Sequence, residues 1–328
     1  MNANLTGSRV LVTGGAGYIG SHAVRALCDL GLDVVVLDSL LTGHRAAVDP
    51  RASFLLGDVR DPAAVAEAMH GADAVLHFAA LALVGESVQQ PERYQDVNVG
   101  GTRCLAKEAA TQGVRAFVLS STAATYGDNA PSPITEAQPR QPCNPYGESK
   151  VAAEDVLSGS GVPCIFLRYF NAAGAITDGS LGEDHTPESH LIPLCIAAAT
   201  GRRSALTVFG TDWDTPDGTC VRDYVHVLDL IDAHLRALEH LLGGGEGGPF
   251  NLGTGRGSSV REVLHAVSDV VGPVPHEAGP RRPGDPALLV ASADKAREQL
   301  GWAPRRDLRT IVTDAWAWHR SHPDGYGD

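Results

Sequence analysis

Between residues 9 and 170, short β-branched runs alternate with amphipathic stretches, and this alternation constrains the chain more than any other feature. The runs fall at 10–12, 33–37, 53–56, 74–77, 116–119 and 164–167, and the pattern between them predicts helices over 19–30, 62–69, 91–110 and 146–157. Near-continuous apolar strands separated by helices predict a parallel sheet covered on both faces, a doubly wound α/β architecture. Beyond residue 171 the pattern is irregular and rich in Gly, Pro and Asp. Helices are predicted there at 190–199, 227–242 and 260–271, with a strand at 250–252 and a glycine-rich surface loop over 243–249.

The first run leads directly into Gly14, Gly17 and Gly20, a GxxGxxG pattern placed between a strand and an amphipathic helix. Glycines there let backbone amides and a helix N-terminus approach a pyrophosphate, so the first half reads as a Rossmann-like dinucleotide-binding domain. The second run ends at Asp38, where a carboxylate accepts hydrogen bonds from ribose hydroxyls and repels a 2′-phosphate. That favours NAD over NADP, although Arg45 lies close in sequence. Asp58 and Val59, after the third run, are candidate adenine contacts, and Asp58 is alternatively a cap for the helix that begins near Pro62.

The domain reading is residues 1–171 for the NAD-binding part and 172–328 mainly for a smaller, interleaved C-terminal substrate domain, with about 221–253 returning to the first. A formal net charge of -13 argues against general attraction to nucleic acid or an anionic membrane, so an anionic ligand needs a local arginine cluster. The six cysteines include no CxxC pair, and no apolar stretch reaches the length of a membrane span. A soluble, cytoplasmic protein with reduced thiols is expected.

Chemistry enters at Tyr146-Gly-Glu-Ser-Lys150, which puts a phenol and an ammonium on one face of a helix. Lysines are scarce, only Lys107, Lys150 and Lys295, so their appearance in a motif is informative. Charge proximity from Lys150 is expected to lower the Tyr146 pKa and make it a general base. Upstream, the strand running into Thr122 ends in hydroxyls at the carboxyl edge of the sheet, where ligands bind.

The 24-residue separation of Thr122 from Tyr146 resembles the short-chain dehydrogenase/reductases. Phe78-Ala79-Ala80, Asn98 and Arg168-Tyr-Phe-Asn171 match the extended branch, with Asn98 equally readable as a buried structural amide. Nearly the whole chain then resembles the UDP-glucose 4-epimerase family. The resemblance rests on Gly14–His22, Val84–Ser87, Ser120–Gly127, Gly182–Asp184, His190–Pro193, Asp217–His226, Asn251–Gly253 and the aromatic tail from Trp316 to Tyr326.

What the resemblance implies is an isomerase that interconverts UDP-galactose and UDP-glucose. Bound NAD takes the C4 hydride, the 4-keto sugar turns over, and the hydride returns to its other face. Tyr146, Lys150 and Thr122 are the implied catalytic set. Gly14, Gly17, Tyr18, Ile19, Gly20, Asp38, Asp58, Val59, Phe78, Ala79, Ala80, Tyr146 and Lys150 are the implied cofactor contacts. Thr122, Asn171, His190, Leu191, Phe209, Arg222, Arg282, Asp285 and Leu289 are the implied substrate contacts, with the two arginines on the diphosphate, Asp285 at the uridine ribose and Leu289 beside the sugar C2 substituent. A leucine at that wall leaves room for UDP-GlcNAc and UDP-GalNAc, unless Leu289 is simply a core strand residue.

The family also implies a homodimer through a four-helix bundle of the 91–110 and 146–157 helices. Two positions depart from it: Ala82 stands where relatives often carry lysine, and Val97 where they often carry asparagine. His185, Glu188 and His190 have the residue types of a metal site but no family spacing, and no metal is expected. Two alternatives remain. Another UDP-sugar-modifying enzyme of the superfamily, a decarboxylase or dehydratase, is disfavoured because Ala123-Ala124 cannot transfer protons. A non-catalytic NAD-sensing protein is disfavoured because it has no need of Tyr146 with Lys150.

Overall fold

The structure, a computed structural model, describes residues 5–128, 130–282 and 285–327. In chain order the strands are β1 Arg9–Thr13, β2 Asp33–Asp38, β3 Ser53–Leu56, β4 Ala74–His77, β5 Ala116–Thr122, β6 Cys164–Tyr169 and β7 Asn171–Ala173. There follow β8 Leu206–Phe209, β9 Val221–Arg222, β10 Tyr224–His226, β11 Gly248–Leu252, β12 Ser258–Ser259, β13 His276–Gly279 and β14 Leu288–Leu289. The helices of the first half are α1 Tyr18–Asp29, α2 Pro62–Met69, α3 Val84–Gln89, α4 Pro91–Tyr94, α5 Gly101–Gln112 and α6 Pro145–Ser158. The second half adds α7 Leu191–Ala199, α8 Val227–Leu242, α9 Val260–Val270, α10 Asp294–Leu300 and α11 Leu308–Ser321.

Seven parallel strands form the main sheet in the order β11-β6-β5-β4-β1-β2-β3. The order reverses between β4 and β1, the switch point where doubly wound sheets open a crevice for ligand. Strand alternation supplies both covers. Val10 and Val12 of β1 pack into a core with Val24 and Leu27 of α1 and Leu230 and Leu238 of α8. Leu11 points the other way, into a core with Val65 of α2, Leu105 of α5 and Leu157 of α6. The sheet is thus a Rossmann-like doubly wound one. A third core joins α7, α9 and α11 to β8.

Strand β11 and helix α8 belong to this main body, since β11 pairs with β6 in register from Gly248↔Ile165 and α8 packs on α1. Three sequence expectations need correction. The segment 91–110 is not one regular helix: a π-turn at Gln95–Gly100 separates α4 from α5, and the wider turn carries the buried Asn98. The surface loop is shorter than 243–249, because β11 already begins at Gly248. Asp58 does not cap α2; Asp61 does, accepting from the Ala63 amide at 2.9 Å.

Among the described residues all six cysteines are free. No described helix is long and apolar enough to cross a membrane.

Candidate active site

The glycine loop joins β1 to α1 at the switch point. Gly14 has φ +71°, and a Cβ there would lie 2.5 Å from the Ala79 amide nitrogen, so neither conformation nor space admits a side chain. A Cβ on Gly20 would sit 2.1 Å from the Gly14 carbonyl oxygen. Gly17 differs: its nearest neighbour would be 3.4 Å away, leaving its face open toward the crevice at the α1 N-terminus. Two glycines are therefore fixed by the protein's own packing and one is left for a ligand to approach. This cradle fits a dinucleotide pyrophosphate.

Asp38 ends β2 and is buried, with its carboxylate accepting from the Ala16 amide at 2.9 Å and the Leu40 amide at 2.8 Å. Burial pushes its pKa up and those amides pull it back. Part of its function is thus to brace the glycine loop, a role the sequence does not reveal. Arg45 stacks over Phe54 at 4.5 Å. Asp58 pairs with Arg60, whose guanidinium holds its carboxyl below the ordinary range, while Val59 is buried under Gly101. Phe78 and Ala79 follow β4, and both donate their amides to the Thr13 carbonyl, at 2.9 and 3.1 Å. Ala80 comes next in the same turn, and Ile19 packs on the α1 core.

Thr122 closes β5 at the carboxyl edge of the sheet, and its hydroxyl accepts from the Ala124 amide at 3.2 Å. Helix α6 approaches this turn so closely that a Cβ on Gly147 would lie 2.6 Å from the Ala124 carbonyl oxygen. That contact brings Tyr146 to Thr122. Burial raises the Tyr146 pKa and the Thr122 hydroxyl bond lowers it, so in the protein alone the phenol lies above its ordinary value, not below as the helical spacing suggests. The cause is the burial of the phenol itself, which outweighs the Thr122 bond. Lys150 is enclosed as well. Burial lowers its pKa to about 8 against the pull of Glu154, and its Nζ donates to the Ser120 carbonyl at 2.9 Å.

Sequence reasoning missed Glu154, although Tyr146, Lys150 and Glu154 continue the same four-residue spacing along α6. Its buried carboxylate accepts from Ser121 Oγ at 2.6 Å and from the Arg168 guanidinium at 2.9 and 2.5 Å. Arg168 also donates to Tyr126, which donates to Asn251, tying β5, β6 and β11 together behind the site. Asn98 is committed to the protein: its amide bridges Leu81 N and O and donates to Ser149 Oγ at 2.9 Å. It positions α6.

The remaining candidates gather on the C-terminal half. Arg222 of β9 lies opposite Leu289 of β14, donates to the Pro286 carbonyl at 2.8 Å and comes within 3.4 Å of Asp285 Oδ1. Arg282 stacks on Phe209 at 4.0 Å, and its carbonyl accepts from the Asp285 amide at 3.3 Å. These five residues form one group. Arg281 stands apart, paired with Asp212 and stacked on Trp213. Asn171 begins β7, where its amide donates to the Asp223 carbonyl at 2.9 Å. Leu191 opens α7 after His190. The His190 ring faces Glu183 at 2.8 Å and Glu188 at 3.0 Å; burial lowers its pKa, and those carboxylates reverse this, raising it to about 10. Tyr18 donates its hydroxyl to the Gly174 carbonyl at 2.6 Å.

A dinucleotide cradle beside a Tyr/Lys/Thr set at the carboxyl edge of a parallel sheet defines the class: an NAD-dependent oxidoreductase-type fold of the short-chain dehydrogenase/reductase kind. Comparison with known proteins narrows it. The NAD dependent epimerase/dehydratase family matches residues 10–253. A UDP-glucose 4-epimerase of Lacticaseibacillus casei is 49% identical over 327 residues, covering 97% of this chain and 99% of that protein. One from Streptomyces lividans is 51% identical over 334 residues, covering 98% of each. A crystal structure of UDP-glucose 4-epimerase from Brucella ovis in complex with NAD superposes with a TM-score of 0.91 at 46% identity, covering 95% of this chain and 98% of that one. The chain belongs to the NAD dependent epimerase/dehydratase family, and NAD is its cofactor.

Proposed function

We propose that this chain interconverts UDP-galactose and UDP-glucose by inverting the configuration at the sugar C4. The observation that carries the reading is the contact of Tyr146 with Thr122, both half-buried at the edge of the sheet that also holds the glycine cradle. NAD held in the glycine cradle would supply the acceptor for the C4 hydride and the donor that gives it back. Tyr146 takes the 4-hydroxyl proton and later gives it back, and Thr122 holds that oxygen. Burial favours the phenol form that donates. The Lys150 ammonium, one helical turn on and secured by Ser120 and Glu154, favours the phenolate that accepts.

Gly14, Gly17, Tyr18, Ile19, Gly20, Asp38, Val59, Phe78, Ala79 and Ala80 form the wall for the dinucleotide, with Asp58 at its adenine end. Arg222 and Arg282 neutralise the diphosphate, Asp285 holds the uridine ribose, and Asn171, His190, Leu191 and Phe209 line the nucleotide-sugar path. Leu289 stands beside the C2 substituent, which extends the reading to UDP-GlcNAc and UDP-GalNAc. The protein acts in the cytoplasm as a homodimer that pairs α5 and α6 with their copies in a four-helix bundle.

Ala123, buried at the turn, and Ala124 offer no proton at the place where a dehydratase needs an acid. Incubation with UDP-galactose and no added cofactor tests the reading. UDP-glucose should appear by proton NMR, and heat-denatured protein should release NAD or NADH. Net NADH formation with an oxidised sugar would identify a dehydrogenase instead.

A further inference from the structure

The connection from β7 to α7 brings four side chains to one point: Glu183, His185, Glu188 and His190, whose ligand atoms all lie within 4.8 Å of one another. Both histidines present Nδ1. His190 Nδ1 is 2.8 Å from Glu183 Oε1 and 3.0 Å from Glu188 Oε1, and His185 Nδ1 is 3.3 Å from Glu183 Oε1 and 3.7 Å from Glu188 Oε2. A tetrahedral ion with bonds of about 2.0–2.1 Å to nitrogen and oxygen needs its ligands about 3.4 Å apart. The four separations bracket that value.

Ion pairing accounts for His190, whose Nδ1 meets Glu188 Oε1 in a 3.0 Å hydrogen bond, but less well for His185. His185 Nδ1 is shielded from solvent yet makes no hydrogen bond, although two carboxylates face it. A protonated nitrogen there would turn its N–H to one of them; a nitrogen bearing a lone pair would aim it at the common centre. The Glu188 carboxylate is also held as a ligand usually is: its Oε1 accepts from the Ser189 and His190 amides at 2.6 and 2.7 Å. Such outer contacts fix ligand orientation. All four groups come from a single eight-residue stretch, so little additional chain has to be ordered to assemble them.

We propose that this loop is a divalent metal site and that its ion is zinc. Two imidazole nitrogens with two carboxylate oxygens form a borderline donor set of four, whereas calcium and magnesium require six or more ligands dominated by oxygen. The residue types stand in the sequence, but their spacing has no family signature and argues for no metal; the convergence of both Nδ1 atoms with two carboxylates, Glu183 included, is what carries the site. The ion clasps the loop between two walls of the site. His185 meets Tyr18 of α1 edge to face at 6.3 Å, and His190 immediately precedes α7. The site shares His190 with the proposed nucleotide-sugar path, but its ion takes no part in proton or hydride transfer.

The test uses the full chain purified without a metal-affinity step. Metal analysis after desalting should find one zinc per chain. Stripping with dipicolinate should lower the melting temperature, and zinc should restore it. Titration of stripped wild-type protein with cobalt(II) should give the intense visible bands of a four-coordinate ion, saturating at one equivalent. His185→Ala and Glu188→Gln, checked for native circular dichroism, should each weaken cobalt binding at least about tenfold. Weak six-coordinate bands, no saturable cobalt uptake by the wild type, or variants that bind as tightly as wild type would each overturn the assignment. The wild-type titration stands even if a variant fails to fold.

Discussion

The Tyr146 region and the Arg282 region are built on opposite principles. Around Tyr146 the groups come from adjacent β–α units; Lys150 and Glu154 are buried and held by short hydrogen bonds with Ser120, Ser121 and Arg168, while Tyr146 and Thr122 stand half-buried at the crevice. Around Arg282 the groups come from strands of two to four residues and from the connection before β14, and the guanidinium is exposed and rests on the Phe209 ring. The first region holds charges in place before any ligand arrives, which is what proton transfer requires. The second leaves the Arg282 guanidinium in water, where a flexible anion can recruit it at little desolvation cost. Substitutions should therefore harm turnover in one region and affinity in the other.

The largest effect is expected at the centre of the first region. Tyr146→Phe should lower kcat by about 10²- to 10⁴-fold while UDP binding stays intact. Retention of more than roughly a tenth of wild-type kcat, with chemistry rate-limiting, would remove Tyr146 from the proton path. Next comes Glu154→Gln, which strips Arg168 of its buried partner. By the usual cost of breaking such a pair, denaturant unfolding should show a loss of about 3–5 kcal/mol. Asp33→Asn, at the exposed Arg9 pair, should cost less than about 1 kcal/mol. Equal losses would mean that the two pairs differ in appearance only.

Smaller effects belong to the rim. Arg282→Ala should raise KM for UDP-galactose by roughly tenfold, one charge-assisted hydrogen bond, and leave kcat within about threefold. A fall in kcat alone would erase the distinction between the regions. Leu289→Tyr should lower kcat/KM for UDP-GlcNAc about tenfold more than for UDP-glucose, the scale of steric discrimination in a pocket. An unchanged ratio would place Leu289 outside the sugar pocket, and absence of wild-type turnover of acetylated sugars would end the dual-specificity reading.

The same contrast explains what could be read from the residues alone. Gly14, Gly17, Gly20, Tyr146 and Lys150 were legible because their geometry is local: a strand-to-helix turn and a four-residue helical spacing. The main sheet was legible for the same reason, from alternation along the chain. The Glu154, Arg168, Tyr126 and Asn251 network was not, since it exists only because β5, β6 and β11 lie side by side. Nor was the bracing role of Asp38, whose carboxylate holds the Ala16 and Leu40 amides of the loop. The pairing of β14 with β9 joins residues 67 apart, so Leu289, Arg222 and Asp285 entered through family resemblance and not through spacing. The π-turn that carries Asn98 leaves no signature in a helical pattern.

If one Tyr146 site oxidises C4 and reduces it again without releasing the sugar, the reaction run from UDP-galactose in D₂O, with no added cofactor, should yield UDP-glucose that retains protium at C4, with no net NADH in solution. Deuterium at C4 of the product, or an oxidised sugar accumulating beside NADH, would contradict that reading.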